Sequence, residues 1–365
     1  MDNIHRGREM FDNQYHQSEL KALLNSAEYL DRYLYEDPAI DPDYRLMITE
    51  VLDIEWFISW VLSNNQPGFK LVQKKIVGTG VPMTKDRLVS TPLADVYLRL
   101  VSSMFSALSP DYRYSPYVEL FRDSVIELGM GWEQLYAPLA ISPRTGKAEY
   151  LLFNELIELI REKAKSSDFK ARLKRLKELA AVGYASVSQY INGLFKQHSK
   201  LLVLRLDLGY HSACTLGISL DQAKKDLAHL FNNLKKNKTL SEHRVGYIWR
   251  LEFGVEKGYH FHCLFFYNGQ TAWKDEYWAM QLGEYWRNTI APGRGQYWNV
   301  NTEQKKEEYR RKNLLGIGMI HRDDEDLRGN LLEHVAQYFF KMEQHVLAKT
   351  LENERGRLFG KGELT

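Results

Sequence analysis

Residues 249–267 read WRLEFGVEKGYHFHCLFFY, and this stretch decides the fold of the second half of the chain. Its last nine residues, from Tyr259 to Tyr267, are almost all aromatic or apolar and predict a β-strand. Side chains on a strand alternate between the two faces of a sheet, so His260 and His262 are expected on one face, about 7 Å apart along the backbone. Two imidazoles placed in this way can converge on one metal ion.

The residues before Tyr259 predict a partner strand, so the stretch should form a hairpin. A three-residue loop, Glu256-Lys257-Gly258 with the glycine in the left-handed conformation, would pair Gly254 with His260 and Glu252 with His262. A two-residue turn at Lys257-Gly258 would mix polar and apolar side chains on both faces, so burial favours the longer loop. The polar face then carries Arg250, Glu252, His260 and His262, and the apolar face carries Trp249, Leu251, Phe253, Phe261, Cys263 and Phe265.

This arrangement predicts a metal site made of two imidazoles and one carboxylate. Glu252 is the expected third ligand beside His260 and His262, and Glu256 is the alternative carboxylate if the loop is longer. By ligand type, such a site suits Zn²⁺ or Mn²⁺ better than Mg²⁺.

Length and composition indicate a globular protein of two domains. The chain has 365 residues, more than one hydrophobic core usually holds. Two cysteines, Cys214 and Cys263, are too few for a disulfide framework, and the first residues lack the apolar run of a signal peptide. The longest uncharged span contains too many polar residues for a membrane helix. We therefore expect a cytoplasmic protein without a membrane segment.

The net charge of +2 hides an asymmetry between the two parts of the chain. Residues 1–150 hold 15 basic and 21 acidic side chains, a net charge of −6, whereas residues 151–365 hold 34 and 26, a net charge of +8. A basic second part favours a partner that carries phosphates, such as nucleic acid, although a solvated helical surface gives the same sum.

The predicted fold is α+β with two domains and a tail. Residues 1–195 are expected to form a helical domain of unknown role, in which Asp41-Pro42 and Ser115-Pro116 each combine an N-cap residue with a first-turn proline. Residues 196–350 alternate as β-α-β-β-α-β-β-α and predict five strands in one antiparallel sheet with flanking helices. Residues 351–365 are expected to be a C-terminal tail.

The first strand of the second domain is predicted over residues 201–208, LLVLRLDL. Arg205 and Asp207 lie on one face of this strand. We interpret them as a surface ion pair, with contact to DNA or to the metal site as the alternative.

The last predicted helix follows Gly329 and carries two parallel stripes of side chains. Asn330 and Glu333 provide an N-terminal cap. Tyr338 and Lys341 are one turn apart and face the same way. The core stripe contains Leu331, Val335, Phe339, Met342 and Val346, and the second stripe contains His334, Tyr338, Lys341 and His345.

Together these motifs resemble the HUH endonuclease superfamily, which contains rolling-circle replication initiators and relaxases. The resemblance rests on the triplet His260-Phe261-His262, an upstream acidic residue, a preceding apolar strand, and Tyr338-x-x-Lys341 on a helix. Within the superfamily, the layout is similar to the replication initiators of filamentous phages (inoviruses) and prophage-like elements. The resemblance covers residues 198–348 and implies an antiparallel sheet with the two histidines on a central strand.

The resemblance also implies a chemistry. Tyr338 would attack one DNA strand and form a 5′-phosphotyrosine, while Lys341 would neutralise charge on the phosphate or the phenolate. A phenol has an ordinary pKa of about 10 and needs assistance, which Mn²⁺ or Mg²⁺ held by Glu252, His260 and His262 would give. The implied partners are single-stranded or hairpin DNA at an origin, with a host helicase and polymerase.

Three alternatives remain open at this stage. A relaxase or a transposase would use the same site on a different DNA. A DNA-binding regulator would retain only a vestigial site. A zinc-dependent hydrolase would cleave its substrate without needing Tyr338.

Overall fold

The computed structural model describes residues 42–76, 83–94, 112–130, 137–254, 257–337, 346–348 and 358–364. The chain divides into two compact units, residues 1–176 and residues 177–365.

The first unit is mainly helical and has a small aromatic core. Its elements are α1 (Pro42–Ser63), β1 (Phe69–Ile76), β2 (Met83–Ser90), β3 (Tyr112–Tyr114), α2 (Pro116–Glu127), α3 (Glu149–Ala164) and the start of α4 (Ser167–Gln197). The rings of Phe121 and Phe153 each pack on Phe57, with centroids 6.0 and 6.2 Å apart. Strands β1 and β2 pair in an antiparallel manner, which the expectation of a purely helical domain did not include.

Both proline pairs mark helix starts, as expected. Helix α1 begins at Pro42 and α2 begins at Pro116. The hydroxyl of Ser115 accepts a hydrogen bond from the backbone N–H of Val118, which satisfies one of the free donors at the start of α2.

The second unit has a central antiparallel sheet with helices on both faces. The strands of this unit are β4 (Lys200–Tyr210), β5 (Arg244–Gly254), β6 (Gly258–Asn268), β7 (Gly295–Asn299), β8 (Gly318–His321), β9 (Val346–Ala348) and β10 (Phe359–Lys361). Its helices, after the end of α4, are α5 (Leu220–Leu234), α6 (Lys238–Ser241), α7 (Asp275–Tyr285), α8 (Glu303–Arg311) and α9 (Glu325–Asn330). A 3₁₀ segment spans Ser212–Gly217, and π-helical turns continue α7 over Trp286–Ile290 and α9 over Leu331–Ala336.

The sheet has six strands, so the predicted five was wrong. The strand order is β10-β5-β6-β4-β7, and β8 also pairs with β4. The additional strand, β10, lies within the segment expected to be a tail, and it places Gly360 opposite Trp249 on β5. Three residues are too few for a periodic pattern to reveal a strand. Strand β6, which carries both histidines, lies at the centre of the sheet.

Strands β7 and β8 share one edge of β4, and a side chain fills the gap between them. Strand β8 pairs with β4 near Leu202 and β7 pairs with it near Leu208. Between these stretches, the Asn301 side chain accepts a hydrogen bond from the Arg205 backbone N–H (2.7 Å) and donates one to the Val203 carbonyl (2.9 Å). The amide of Asn301 therefore makes the hydrogen bonds to β4 that the backbones of β7 and β8 make on either side of it.

Each face of the sheet packs against its own set of helices. On one face, Phe265 contacts Phe231 of α5, and Phe261 contacts Trp286 after α7. On the other face, Tyr190 of α4 packs against Phe266 with centroids 6.5 Å apart. Because Phe266 and His262 are four residues apart on one strand, α4 covers the same face that carries the histidines.

Helix α9 lies beside α4 on this histidine face. Arg328 of α9 donates a hydrogen bond to the Asn192 side chain and lies 5.1 Å from the centroid of the Phe195 ring, and both of these residues belong to α4.

The last predicted helix begins and ends at residues other than those expected from the sequence. It begins at Glu325, and Asp324 caps it by accepting a hydrogen bond from the Leu327 N–H, so the assignment of Asn330 as the cap was wrong. Asn330 instead donates to the carbonyl of Leu315. Leu331 and Val335 are buried, as the core stripe predicts. Val346 was expected on this helix but lies in β9.

Candidate metal centre

The hairpin of β5 and β6 sets the frame of the site. Gly254 pairs with Gly258, Glu252 pairs with His260, and Arg250 pairs with His262. The predicted register, with Glu252 opposite His262, was therefore wrong by two residues. A shift of two leaves every side chain on its own face, so Glu252 and both histidines still share one face. Gly258 has φ +61°, the left-handed conformation that was expected for it.

Three potential ligand atoms converge on this face. One atom each from Glu252, His260 and His262 lies within 4.8 Å of the other two. The Oε2 atom of Glu252 is 3.1 Å from Nε2 of His262 and 3.9 Å from Nε2 of His260. The two imidazole rings have centroids 5.1 Å apart and are nearly perpendicular. The three side chains thus surround one small volume that could hold a divalent ion.

A second carboxylate orients His262 from the neighbouring strand. Asp207 on β4 pairs in register with His262, and its Oδ1 accepts a hydrogen bond from Nδ1 of that ring at 2.6 Å. A carboxylate on one imidazole nitrogen fixes the ring orientation and makes the other nitrogen a better ligand. The interpretation of Arg205 and Asp207 as a surface ion pair was wrong, because Arg205 is only 2% exposed and Asp207 contacts the site.

His260 is held in an equivalent manner by the hairpin backbone. Its Nδ1 is 3.1 Å from the carbonyl oxygen of Gly258 and can donate a hydrogen bond to it. Both histidines therefore use Nδ1 for positioning and direct Nε2 towards Glu252, which is the arrangement that a metal site requires.

The ionisable side chains of the site shift one another's pKa values. Burial disfavours the charged forms of both carboxylates, but the nearby histidines and arginines outweigh it. They lower the pKa of Glu252 to about 2 and hold the pKa of Asp207 below its usual range. Burial and repulsion from His262 lower the pKa of His260 to about 4. For His262, burial is outweighed by Asp207 and Glu252, which raise its pKa to about 9.

The three potential ligands fit a divalent ion, and a buried oxygen atom of Glu252 supports this fit. Its Oε1 atom is buried and has no hydrogen-bond partner in the described part of the chain. The closest charged group recorded for it is Nε of Arg250, at 3.9 Å. A buried carboxylate oxygen without a donor is unfavourable, and a bound cation would satisfy it. Three protein ligands also leave coordination positions for oxygens of a substrate.

Several residues expected at the site lie outside the described residues. These are Tyr338 and Lys341, the expected catalytic pair, and Glu256, the alternative ligand. The described residues stop at Gln337 and resume at Val346. His334, from the same predicted stripe, is described and is partly buried.

Asp207 is the site residue whose role the sequence did not reveal. Its alternation with Arg205 placed it on one face of β4, but the neighbour of β4 in the sheet could not be known from that strand alone. The pairing of β4 with β6 supplies this information. The signal in the sequence was a recurring pattern, in which an arginine and an acidic residue are separated by one leucine. It occurs as Arg205-Leu206-Asp207 and as Arg250-Leu251-Glu252.

Comparison with known proteins relates part of the chain to a family. Residues 162–311 match the family model of the YagK/YfjJ C-terminal domain, a family of prophage-associated proteins. The matched region contains Asp207 and all three potential ligands. Searches of curated proteins and of solved structures each gave no significant match. Within the described ranges, no helix has the length and apolar character needed to cross a membrane.

Proposed function

We propose that this chain is a metal-dependent nickase of the HUH type that cuts and rejoins one DNA strand through a 5′-phosphotyrosine. Its role would be to initiate rolling-circle replication of a phage or an integrated mobile element. The observation that carries the proposal is the convergence of His260 and His262, on the central strand β6 of an antiparallel sheet, with Glu252 on the neighbouring strand β5. The similarity of residues 162–311 to a prophage-associated family is consistent with such an element.

The described residues would bind the metal ion and keep its ligands oriented. Glu252 and the Nε2 atoms of His260 and His262 are the ligands, and Asp207 keeps the Nδ1 proton of His262 in place. A bound Mn²⁺ or Mg²⁺ would polarise the scissile phosphate as a Lewis acid.

Tyr338 would be the nucleophile and Lys341 its electrostatic partner, as the resemblance implies. The phenolic oxygen of Tyr338 forms a bond to phosphorus while the bond to the 3′ oxygen breaks, which releases a 3′-hydroxyl. The bond energy is kept in the phosphotyrosine, so the same 3′-hydroxyl can reverse the step. The sequence pattern offers one tyrosine beside Lys341, so one chain would perform one such exchange at a time.

The experiment is covalent capture of DNA. Purified protein is incubated with Mn²⁺ and labelled single-stranded oligonucleotides that tile the DNA flanking its gene, and adducts are resolved under denaturing conditions. We expect an adduct that is abolished by EDTA, by Glu252→Gln and by Tyr338→Phe. Tyr277→Phe is the matched control, because Tyr277 is an exposed tyrosine on α7, on the opposite face of the sheet.

Each alternative predicts a different result. Cleavage that survives Tyr338→Phe indicates a hydrolase. Metal-independent binding of DNA without any adduct indicates a DNA-binding regulator. The sequence of the captured oligonucleotide distinguishes a replication origin from the substrate of a relaxase or a transposase.

A further inference from the structure

Trp298 lies on the same face of the sheet as the metal centre. It pairs in register with Asp207 on β4, and Asp207 pairs with His262 on β6. Residues directly opposite one another in antiparallel strands point to the same face, so the indole is two strand spacings, about 10 Å, from His262. The preceding residue, Tyr297, points to the other face, where its hydroxyl donates a hydrogen bond to Glu284 of α7.

A glycine leaves part of the sheet surface between His260 and β7 without a side chain. Gly209 on β4 lies beside His260, since a Cβ atom added to it would be 3.3 Å from the His260 Cβ. Gly209 pairs with Gln296 of β7, which is exposed. The glycine adds no side chain between the histidine and β7, so an extended ligand could lie across this surface.

Trp298 differs from three other tryptophans of this unit in its surroundings. The ring of Trp249 packs against Phe261, that of Trp278 against Tyr267, and that of Trp286 against Tyr210. Trp298 is 36% exposed, and no ring from the described parts of the chain stacks on it. A large flat side chain is therefore presented to solvent about 10 Å from a metal centre.

We propose that Trp298 is a stacking platform for one unpaired base of the DNA strand whose phosphate is held at the metal centre. This inference rests on the proposed function and names a part of its substrate, a base that is not paired. Every base has a π-face, so stacking on an indole holds the strand without reading its sequence. The platform fixes the path of the strand on the β7 side of the ligands and so positions the phosphate.

The test separates base stacking from phosphate binding. Two fluorescein-labelled probes of equal length are used: a 20-nucleotide oligo(dT), and a strand of 20 abasic deoxyribose phosphates. Affinities are measured by fluorescence anisotropy at one fixed salt concentration with Mn²⁺, for the wild-type full chain and for Trp298→Ala, Trp298→Leu and Trp298→Phe. Trp273→Ala is the matched control, because Trp273 is also exposed but lies beside the start of α7.

The expected result is selective for the bases. Trp298→Ala and Trp298→Leu should bind oligo(dT) roughly 5- to 140-fold more weakly than wild type, the range expected for loss of one stacked base. Their affinity for the abasic strand should be unchanged, which also shows that the variants are folded. Trp298→Phe should retain most of the affinity for oligo(dT), and Trp273→Ala all of it.

Two outcomes overturn the inference. One is wild-type affinity of Trp298→Leu for both probes, and the other is an equal loss for both. Covalent capture in parallel separates this failure from failure of the proposed function. If the wild type forms the adduct and Trp298→Leu binds oligo(dT) with wild-type affinity, the stacking platform alone is refuted. A base-selective loss without any adduct in the wild type refutes the nickase and supports the platform.

Discussion

The Nδ1 atom of His262 lies 2.6 Å from the Oδ1 atom of Asp207, so that a carboxylate on β4 orients a histidine on β6. The other nitrogen of the same ring lies 3.1 Å from Glu252. One imidazole thus connects the three central strands β5, β6 and β4.

Substitution of Asp207 should weaken metal binding without removing a ligand. In Asp207→Asn the amide oxygen can still accept the Nδ1 hydrogen bond, but the charge is lost. In Asp207→Ala both are lost. We expect the dissociation constant for Mn²⁺, measured by isothermal titration calorimetry, to rise about 10-fold for the first variant and about 100-fold for the second.

The control for this prediction is Asp221→Asn, which changes an exposed carboxylate at the start of α5. It should bind Mn²⁺ as the wild type does. Unchanged affinity in Asp207→Ala would mean that His262 does not ligate the ion.

Metal binding should release a proton from His262. In the metal-free protein its pKa is about 9, so the ring is charged at neutral pH, and an ion must displace the proton from Nε2. Apparent affinity should therefore rise with pH, roughly tenfold per pH unit, and level off above about pH 9. Calorimetry at pH 7 in buffers of different ionisation enthalpy should show release of about one proton per ion.

The same pKa shift predicts how the metal-free fold responds to pH. The folded pKa of His262 lies above its ordinary value of about 6.5, so protonation stabilises the folded state. This contribution is fully present below about pH 6.5 and is lost as pH rises through about 9. Denaturant unfolding in EDTA should show the loss. A metal-free protein that is equally stable at pH 6.5 and pH 9.5 would contradict the assignment.

Asn301 should be important for stability rather than for chemistry. Its side chain bonds the backbone of Val203 and Arg205 and also donates to Asp275 (2.9 Å), and it is fully buried. Asn301→Leu keeps the volume but leaves these groups without partners, which should lower the free energy of unfolding by about 2–4 kcal/mol. Asn288→Leu, at an exposed position after α7, should change it by less than about 0.5 kcal/mol.

Gly258 should be sensitive to a single methyl group. Its φ of +61° is unfavourable for alanine, and an added Cβ would lie 3.1 Å from Cβ of Thr215. Gly258→Ala should lower the free energy of unfolding by about 1–2 kcal/mol. The shift of its carbonyl, which positions His260, should also weaken Mn²⁺ binding. A variant with full stability and full affinity would show that the turn does not constrain the site.

The hairpin shows what could be predicted from the sequence and what could not. Alternation has a period of two, so it correctly put Glu252, His260 and His262 on one face. The same period makes registers that differ by two residues equivalent in burial, which is why Glu252 was placed opposite His262 instead of His260. The side chains still converge because a glutamate can reach the ring diagonally across the pair.

Contacts between segments distant in the sequence were the least predictable. Asp207 was on the correct face of β4, but only the pairing of β4 with β6 brings it to His262. Strand β10 pairs with the edge of β5. Its three residues, Phe359-Gly360-Lys361, are too few to show a strand's alternation of apolar and polar side chains. Asn301 likewise acquires its role from the gap between β7 and β8.

In the proposed mechanism, a metal ion bound by Glu252, His260 and His262 would activate a DNA phosphate towards Tyr338. The most direct measurement is mass spectrometry of the protein after reaction with origin DNA and Mn²⁺, followed by nuclease and protease digestion. The account predicts a nucleotide attached through a phosphodiester to the peptide that contains Tyr338, and no such adduct in His262→Ala. Cleaved DNA without this adduct, or a nucleotide attached to a different residue, would contradict it.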